Sequence, residues 1–309
     1  MFEIGIIGAG MTGVAHSKAI AANPDCRLVA VCDLVEEKAK YLAASYDATY
    51  FTDYRQMCHE VDMDAVIIIL PHFLHREVSV YCMEKGINVL VEKPMAITME
   101  ECDEMEKTAK ENNVKLAVGH VQRYYSAYRE IKTIIEKGTL GKLCMITETR
   151  NIDYVANRAA WFLKKSLSGG GIVMNYGAHS LDKIFYTTGL DVKNIHAVIS
   201  NPLTDDDVEI NAQIFAELSD GVTAQISYCG CHVPNEYTTS FYFTDGVAKV
   251  LEGYKLQIIT KDGVSDIEST SNIFDEQIVE FIKLLKGEQS EIVTSEYGQK
   301  VIEVLKKIL

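Results

Sequence analysis

A cluster of glycines, Gly8-Ala9-Gly10-Met11-Thr12-Gly13, follows a short apolar run and opens a helical pattern. That spacing suits the pyrophosphate of a dinucleotide. Gly8 permits a tight turn, Gly10 lets the backbone approach the phosphates, and Gly13 lets the new helix pack closely on its strand. At the helix start, Met11 and Thr12 contribute free N–H groups and the positive end of the helix dipole. About twenty residues beyond Gly13, Asp33 ends the next apolar run, where a carboxylate can accept both hydroxyls of the adenosine ribose. Facing a 2′-phosphate, the same carboxylate would be repelled by up to ~4 kcal/mol at an effective dielectric of about 20. Leu34 and Val35 offer no cation, and Lys38 is the first basic residue after them. NAD is therefore expected as cofactor in preference to NADP.

These residues need a scaffold that brings strand ends together. Apolar runs of strand length lie at Glu3–Ile7, Leu28–Cys32, Ala65–Leu70, Asn88–Glu92 and Lys115–Gly119, with apolar residues on both faces, as in parallel strands covered on both sides. Helical patterns alternate with them at Thr12–Ala22, Glu36–Ser45, Leu74–Lys85 and Thr98–Asn112, the last opened by a capping-box spacing, Thr98 to Glu101. Strand–helix repetition of this kind predicts an α/β domain with an open, doubly wound parallel sheet. Ligands bind beyond the carboxyl ends of such strands, and there the chain places Leu70-Pro71-His72, Glu92-Lys93-Pro94 and His120. The Lys93–Pro94 bond is a candidate cis peptide.

From about residue 140 the rhythm changes. Ile210, Ala212, Ile214, Ala216 and Leu218 alternate onto one face, as do Val222, Ala224, Ile226 and Tyr228, with the hairpin signal Asp220-Gly221 between them. More strands follow at Glu236–Thr244, Ala248–Leu251 and Lys255–Thr260, then helices at Phe274–Lys286 and Ser295–Ile308. The expectation is a second, α+β domain with a large, mainly antiparallel open sheet, and domains of residues 1–120 and 121–309. The outer face of that sheet carries Thr223, Gln225 and Ser227, polar but uncharged, which fits either a solvated surface or a subunit contact.

Composition excludes several functions. The chain has 309 residues and a net charge of −14, which repels nucleic-acid phosphates and anionic lipid. Its longest apolar run, Ala65–Leu70, is six residues, far short of a membrane span. Met1-Phe2-Glu3 leads directly into a strand rather than a signal peptide, and the eight scattered cysteines suit reduced thiols, so a cytoplasmic protein is expected. His72 and His75 read as loop histidines rather than a metal pair, and Cys229-Gly230-Cys231-His232 as structural, so no metal is expected.

Taken together, Gly8-x-Gly10-x-x-Gly13, Pro71-x-x-x-His75 and Val91-Glu92-Lys93-Pro94 resemble the Gfo/Idh/MocA oxidoreductases, which include glucose-fructose oxidoreductase and inositol dehydrogenase. The likeness continues through Gly119-His120-Val121-Gln122-Arg123-Tyr124, Trp161, and the stretch from Gly169-Gly170-Gly171 through Asn175 and His179 to Asp182. It implies a Rossmann domain followed by an α+β domain whose open sheet makes a homodimer or homotetramer contact. Lys93 resembles the lysine that lies near the nicotinamide and binds the reacting hydroxyl, and His179 the acid/base residue. Leu70, Pro71, His75 and Glu92 fall among the cofactor-binding positions. His120, Arg123, Tyr124, Trp161 and Asn175 fall among the substrate contacts. Asn175, also placed in the catalytic set, stands where inositol dehydrogenase-like members carry Asp. An amide orients by hydrogen bonds but takes up no proton, so the proton load falls on His179 and Lys93. Asn at this position resembles some nucleotide-sugar dehydrogenases.

The expected activity is NAD-dependent hydride transfer involving a secondary alcohol or ketone of a sugar, sugar derivative or cyclitol. Two alternatives use the same residues: a glycosidase that oxidises its substrate transiently with retained NAD, and a non-catalytic dinucleotide-sensing regulator.

Overall fold

The computed structural model describes residues 1–156, 158–203, 205–267 and 272–309. The chain divides into two units, Met1–Val121 with Asn272–Ile302, and Gln122–Ser271 with Glu303–Leu309.

The first unit begins β1 (Phe2–Ile7), α1 (Met11–Ala22), β2 (Cys26–Cys32), α2 (Glu36–Ala44), β3 (Thr49–Phe51) and α3 (Tyr54–Glu60). It continues β4 (Ala65–Ile68), α4 (His75–Glu84), β5 (Asn88–Glu92), α5 (Met99–Glu111) and β6 (Leu116–Gly119). The Val- and Ile-rich strands stack in parallel in the order β6-β5-β4-β1-β2-β3. Their inner positions are fully buried, Ile4, Ile6, Val66, Ile67, Val89 and Leu90 among them. At α5 the Thr98 hydroxyl accepts from the Glu101 N–H (3.2 Å), while the Glu101 carboxylate reaches one residue further back, to the Ile97 N–H (2.9 Å).

In the second unit lie α6 (Ser126–Lys137), β7 (Leu143–Asn151), α7 (Lys165–Ser168), α8 (Ala178–Thr188) and β8 (Val192–Ser200). Six further strands follow: β9 (Asn211–Leu218), β10 (Thr223–Cys229), β11 (Glu236–Phe243), β12 (Val247–Leu251), β13 (Lys255–Thr260) and β14 (Gly263–Ile267). Eight strands make one sheet, β14-β13-β12-β11-β7-β10-β9-β8, antiparallel throughout except for β7 beside β10. The hairpin at Asp220-Gly221 forms as its dipeptide predicts, both residues having positive φ. Ala212, Ile214, Ala216 and Leu218 are buried on one face of β9, and Phe215 is exposed on the other.

The expected second domain, residues 121–309, needs correcting at its far end. Helix α9 (Ile273–Lys286) and the short β15 (Val293–Thr294) return to the first unit. Ile278, Phe281 and Ile282 of α9 share a core cluster with Ile4, Ile6 and Ile20, and β15 pairs antiparallel with β6. Burying that apolar stripe against a parallel sheet and α1 outweighs chain continuity. Helix α10 (Ser295–Ile308) follows, its residues through Ile302 grouping with the first unit. Among the described residues no helix is long and apolar enough to cross a membrane.

Candidate active site

In the first unit the candidate residues gather at the carboxyl ends of β1, β2, β4 and β5, which neighbour one another in the sheet. Gly8 sits at φ +111°, and a Cβ there would meet the Ile69 carbonyl oxygen at 2.1 Å. A Cβ on Gly13 would meet the Gly8 carbonyl oxygen at 2.2 Å. Only glycine lets the turn and helix pack so closely. Gly10 differs, because its Cβ position opens onto empty space at the start of α1, where no side chain caps the helix. That is the opening through which a phosphate would reach the free N–H groups, so the cradle fits a dinucleotide. Met11 is almost fully exposed beside it and Thr12 half-buried.

Asp33 is tied into the same loop. One carboxylate oxygen accepts from the Ala9 N–H (2.8 Å) and the other from the Val35 N–H (2.8 Å). Each oxygen keeps a further lone pair, so ribose hydroxyls can still be received. Leu34 and Val35 beside it are exposed and uncharged.

Lys93 follows β5 on a loop held from two sides, and its bond to Pro94 is cis. On one side the His16 Nε2 of α1 meets the Glu92 carboxylate at 3.0 Å, and the other Glu92 oxygen accepts from the Lys93 N–H at 3.2 Å. Burial pushes the Glu92 carboxyl up, but the His16 hydrogen bond and the charges of His16 and Lys93 together hold it below its ordinary value. On the other side stands His75. Its Nδ1 lies 2.8 Å from the Pro94 carbonyl and its Nε2 2.8 Å from the Leu70 carbonyl, which links the ends of β4 and β5. Burial pulls its pKa below the ordinary imidazole value, against the two carbonyls, which favour the charged ring. His75, expected among the cofactor contacts, is thus wholly buried and holds backbone, whereas Leu70 and Pro71 are half-buried at the strand end. His120 is also buried, edge-on to Tyr297.

The second unit gathers a different set. Gly169 and Gly170 have positive φ, and a Cβ on Gly171 would meet the Glu209 carbonyl oxygen at 1.9 Å. The glycine run therefore lets the chain press against Glu209, whose carboxylate accepts from the Gly171 N–H (2.8 Å) and the Val173 N–H (2.9 Å). Burial raises the Glu209 pKa against those bonds. The next turn, Val173–Gly177, is a π-helix, so Asn175 and His179 are joined through a wider turn than an α-helical spacing of four implies. Both are buried, and the Tyr154 hydroxyl lies against the Asn175 side chain.

Beneath His179, α8 is fixed by charge. Lys183 donates to Glu148 of β7 and to the Tyr237 hydroxyl (2.5 Å each). Glu148 also accepts from Ser180 and Thr239, the latter at 3.1 Å. Arg123 donates to Asp182, with both side chains buried, and Tyr124 is buried too. Arg123, expected with Tyr124 as a substrate contact, holds α8 through that ion pair. Trp161 is half-buried and stacks on Phe162, ring centroids 3.7 Å apart. Glu148, Lys183 and Glu209 went unnoticed in the sequence because single charged residues give no spacing signal. Among the described residues no group of three or more His, Cys, Asp or Glu could hold a metal. The Gly230 N–H after Cys229 donates to Asn211 (3.0 Å), a structural setting for that segment.

Comparison with known proteins decides the family. Residues 2–120 match the family model described as an oxidoreductase family with an NAD-binding Rossmann fold, and residues 128–249 match the GFO/IDH/MocA C-terminal domain. The chain belongs to the Gfo/Idh/MocA oxidoreductase family. Residues 2–120 are the family's NAD-binding Rossmann domain. The chain is similar to the oxidoreductase YrbE of Bacillus subtilis, with 31% identity over 72% of this chain and 62% of that protein. It is similar over 99% of its length, at 24% identity, to 95% of the glucose-6-phosphate 3-dehydrogenase of the same organism. Among solved structures, the WlbA dehydrogenase from Bordetella pertussis, in complex with NADH and UDP-GlcNAcA, shares the fold. Its TM-score is 0.86 and its identity 22%, with 99% of this chain and 96% of that one covered.

Proposed function

We propose that the protein is an NAD-dependent dehydrogenase that transfers hydride between nicotinamide and a secondary alcohol or ketone of a sugar, sugar derivative or cyclitol. One observation carries the reading. The open Gly10 cradle, the loop-bound Asp33 and the lysine of a doubly held cis-proline loop stand at the ends of neighbouring strands of one sheet. Dehydrogenase names among the relatives support it.

Gly8–Gly13 would hold the pyrophosphate and Asp33 the adenosine ribose, with Leu70 and Pro71 at the strand end beside them. When bound, NAD supplies the hydride acceptor. Lys93 donates a hydrogen bond to the substrate oxygen and stabilises the negative charge that grows there as its proton leaves. His179 takes that proton as the general base. Asn175 aims the substrate through its amide. His16 and Glu92 on one side and His75 on the other act as positioning residues, fixing the backbone that presents Lys93. The exposed face of β8 and β9, with Val198 and Phe215, would pair copies of the chain into a homo-oligomer.

The test supplies NAD and a panel of aldoses, sugar phosphates, nucleotide sugars, glycosides and cyclitols, with product and NADH both followed. Stoichiometric NADH and ketone are expected. Glycoside cleavage without NADH would replace this reading with transient oxidation, and tight NAD binding without turnover of any compound would replace it with a sensor.

A further inference from the structure

Two arginines of the second unit have no place in the chemistry above. Arg158 lies with its guanidinium carbon 3.9 Å from the Tyr154 ring centroid and 5.0 Å from that of Phe162. Its Nε donates to the Tyr154 carbonyl (2.5 Å) and one terminal nitrogen to the Tyr176 hydroxyl (2.8 Å). Arg150 of β7 stacks on the face of the same Tyr176 ring at 3.7 Å and on Tyr237 at 4.3 Å. Both arginines are half-buried. Among the described residues neither is paired with a carboxylate, although the chain carries 44 Asp and Glu against 30 Lys and Arg. Glu236 and Glu252 line a groove with Arg150, but Glu236 accepts from Asn151 (3.0 Å) and Glu252 is bridged to Lys255 (2.8 Å).

Stacking satisfies the faces of a guanidinium and leaves its edge to donate. Arg158 keeps three N–H groups after its two bonds, and Arg150 makes no hydrogen bond among the described residues. A half-buried cation in a strongly acidic protein, held by aromatic rings instead of the plentiful carboxylates, is set up for an anion from outside. The position is informative as well. Tyr176 directly follows Asn175, and Tyr154 touches both Tyr176 and the Asn175 side chain. The two guanidinium groups therefore contact Tyr176, the chain neighbour of the Asn175 assigned to aim the substrate. Stacked Trp161 and Phe162, the latter under Arg158, add an apolar platform of the kind that suits the face of a sugar ring.

We propose that Arg158, assisted by Arg150, is an oxyanion subsite, and that the substrate is a sugar carrying a phosphate or carboxylate group. The proposal rests on the sugar-dehydrogenase reading and narrows its substrate class.

Trp161 is the sole tryptophan, so its emission reports on this neighbourhood. The whole protein, supplied with NAD, would be titrated with glucose 6-phosphate, glucuronate and glucose. At least one anionic sugar should bind about tenfold or more tighter than glucose, since a hydrogen-bonded charge pair of this kind is worth at least that much. The arm that binds distinguishes phosphate ester from carboxylate. Arg158→Gln and Arg150→Gln should each shrink the ratio toward one, while Arg158→Lys keeps part of it and NADH affinity stays unchanged. Arg150, without hydrogen bonds of its own, provides a variant that spares the fold if Arg158→Gln does not. Equal binding of all three sugars, failure of both anions to bind, or a preference that survives both substitutions overturns the proposal. Because the readout is binding, turnover failure with an intact preference would sink the redox reading instead.

Discussion

The two units build their sites from different materials. The first relies on backbone: glycines that let neighbouring carbonyl oxygens press against the chain, free helix N–H groups, and a carboxylate bonded to two main-chain amides. The second relies on buried side-chain charge: Glu148 with Lys183, Asp182 with Arg123, and Glu209 under the glycine loop. A backbone site is imposed by a local pattern and carries that pattern in the sequence. A side-chain site is assembled across the fold from residues far apart in the chain, such as Glu148 and Lys183, and its members are individually ordinary.

The contrast can be broken most forcefully at Glu148. Replacing it with Leu strands Lys183 without its carboxylate in the interior, and urea unfolding should show a loss of about 3–5 kcal/mol. The double variant Glu148→Leu with Lys183→Met should recover much of that, because a matched apolar pair removes both desolvation costs. If the single substitution proved neutral, the second unit would not depend on charge as described.

Next in size come the residues assigned to the chemistry. Lys93→Ala and His179→Ala should each lower turnover about a hundredfold or more, with NADH still bound. Unchanged turnover in either variant would remove that residue from the mechanism. Asp33→Ala should weaken NADH about tenfold and narrow the gap to NADPH, because it removes both the ribose acceptor and the charge that repels a 2′-phosphate. An unaltered NADH to NADPH ratio would show that Asp33 serves only the loop.

The smallest effect concerns pH. Burial lowers the His75 pKa, so the folded protein holds a neutral ring that the unfolded chain protonates near 6.5, the ordinary imidazole value. Stability from this group is complete above that pH and is lost as pH falls through it toward the lower folded value, at no more than about 1.4 kcal/mol per pH unit. Urea midpoints measured from pH 7.5 down to 5 should fall less steeply in His75→Gln. Parallel curves for the two proteins would contradict the assignment.

What could be read in advance divides along the same line. The glycine loop, Asp33, the cis Lys93–Pro94 bond, the buried face of β9 and the Asp220-Gly221 hairpin all follow from local spacing or turn chemistry, and the structure contains them. Helix α3 is not legible in the sequence although Asp53 caps it, accepting from the Arg55 N–H at 2.9 Å, because seven residues leave too little periodicity to recognise. The return of α9 to the first unit was invisible, since an amphipathic stripe does not say which surface it will cover. His75 and Arg123 show a further limit. A motif marks a residue as constrained, but only the fold shows that the constraint is a pair of backbone carbonyls in one case and a buried aspartate in the other.

The central claim is that the first unit binds a pyridine dinucleotide over Gly8–Gly13. Calorimetric titration of NADH into the wild type and Gly10→Val tests it most directly, because a side chain at Gly10 enters open space and leaves the fold alone while covering the phosphate cradle. Saturable binding to the wild type, stronger than for NADPH and weakened at least about tenfold in the variant, is the predicted result. Binding of equal strength in a folded Gly10→Val, or no binding by the wild type, would contradict it.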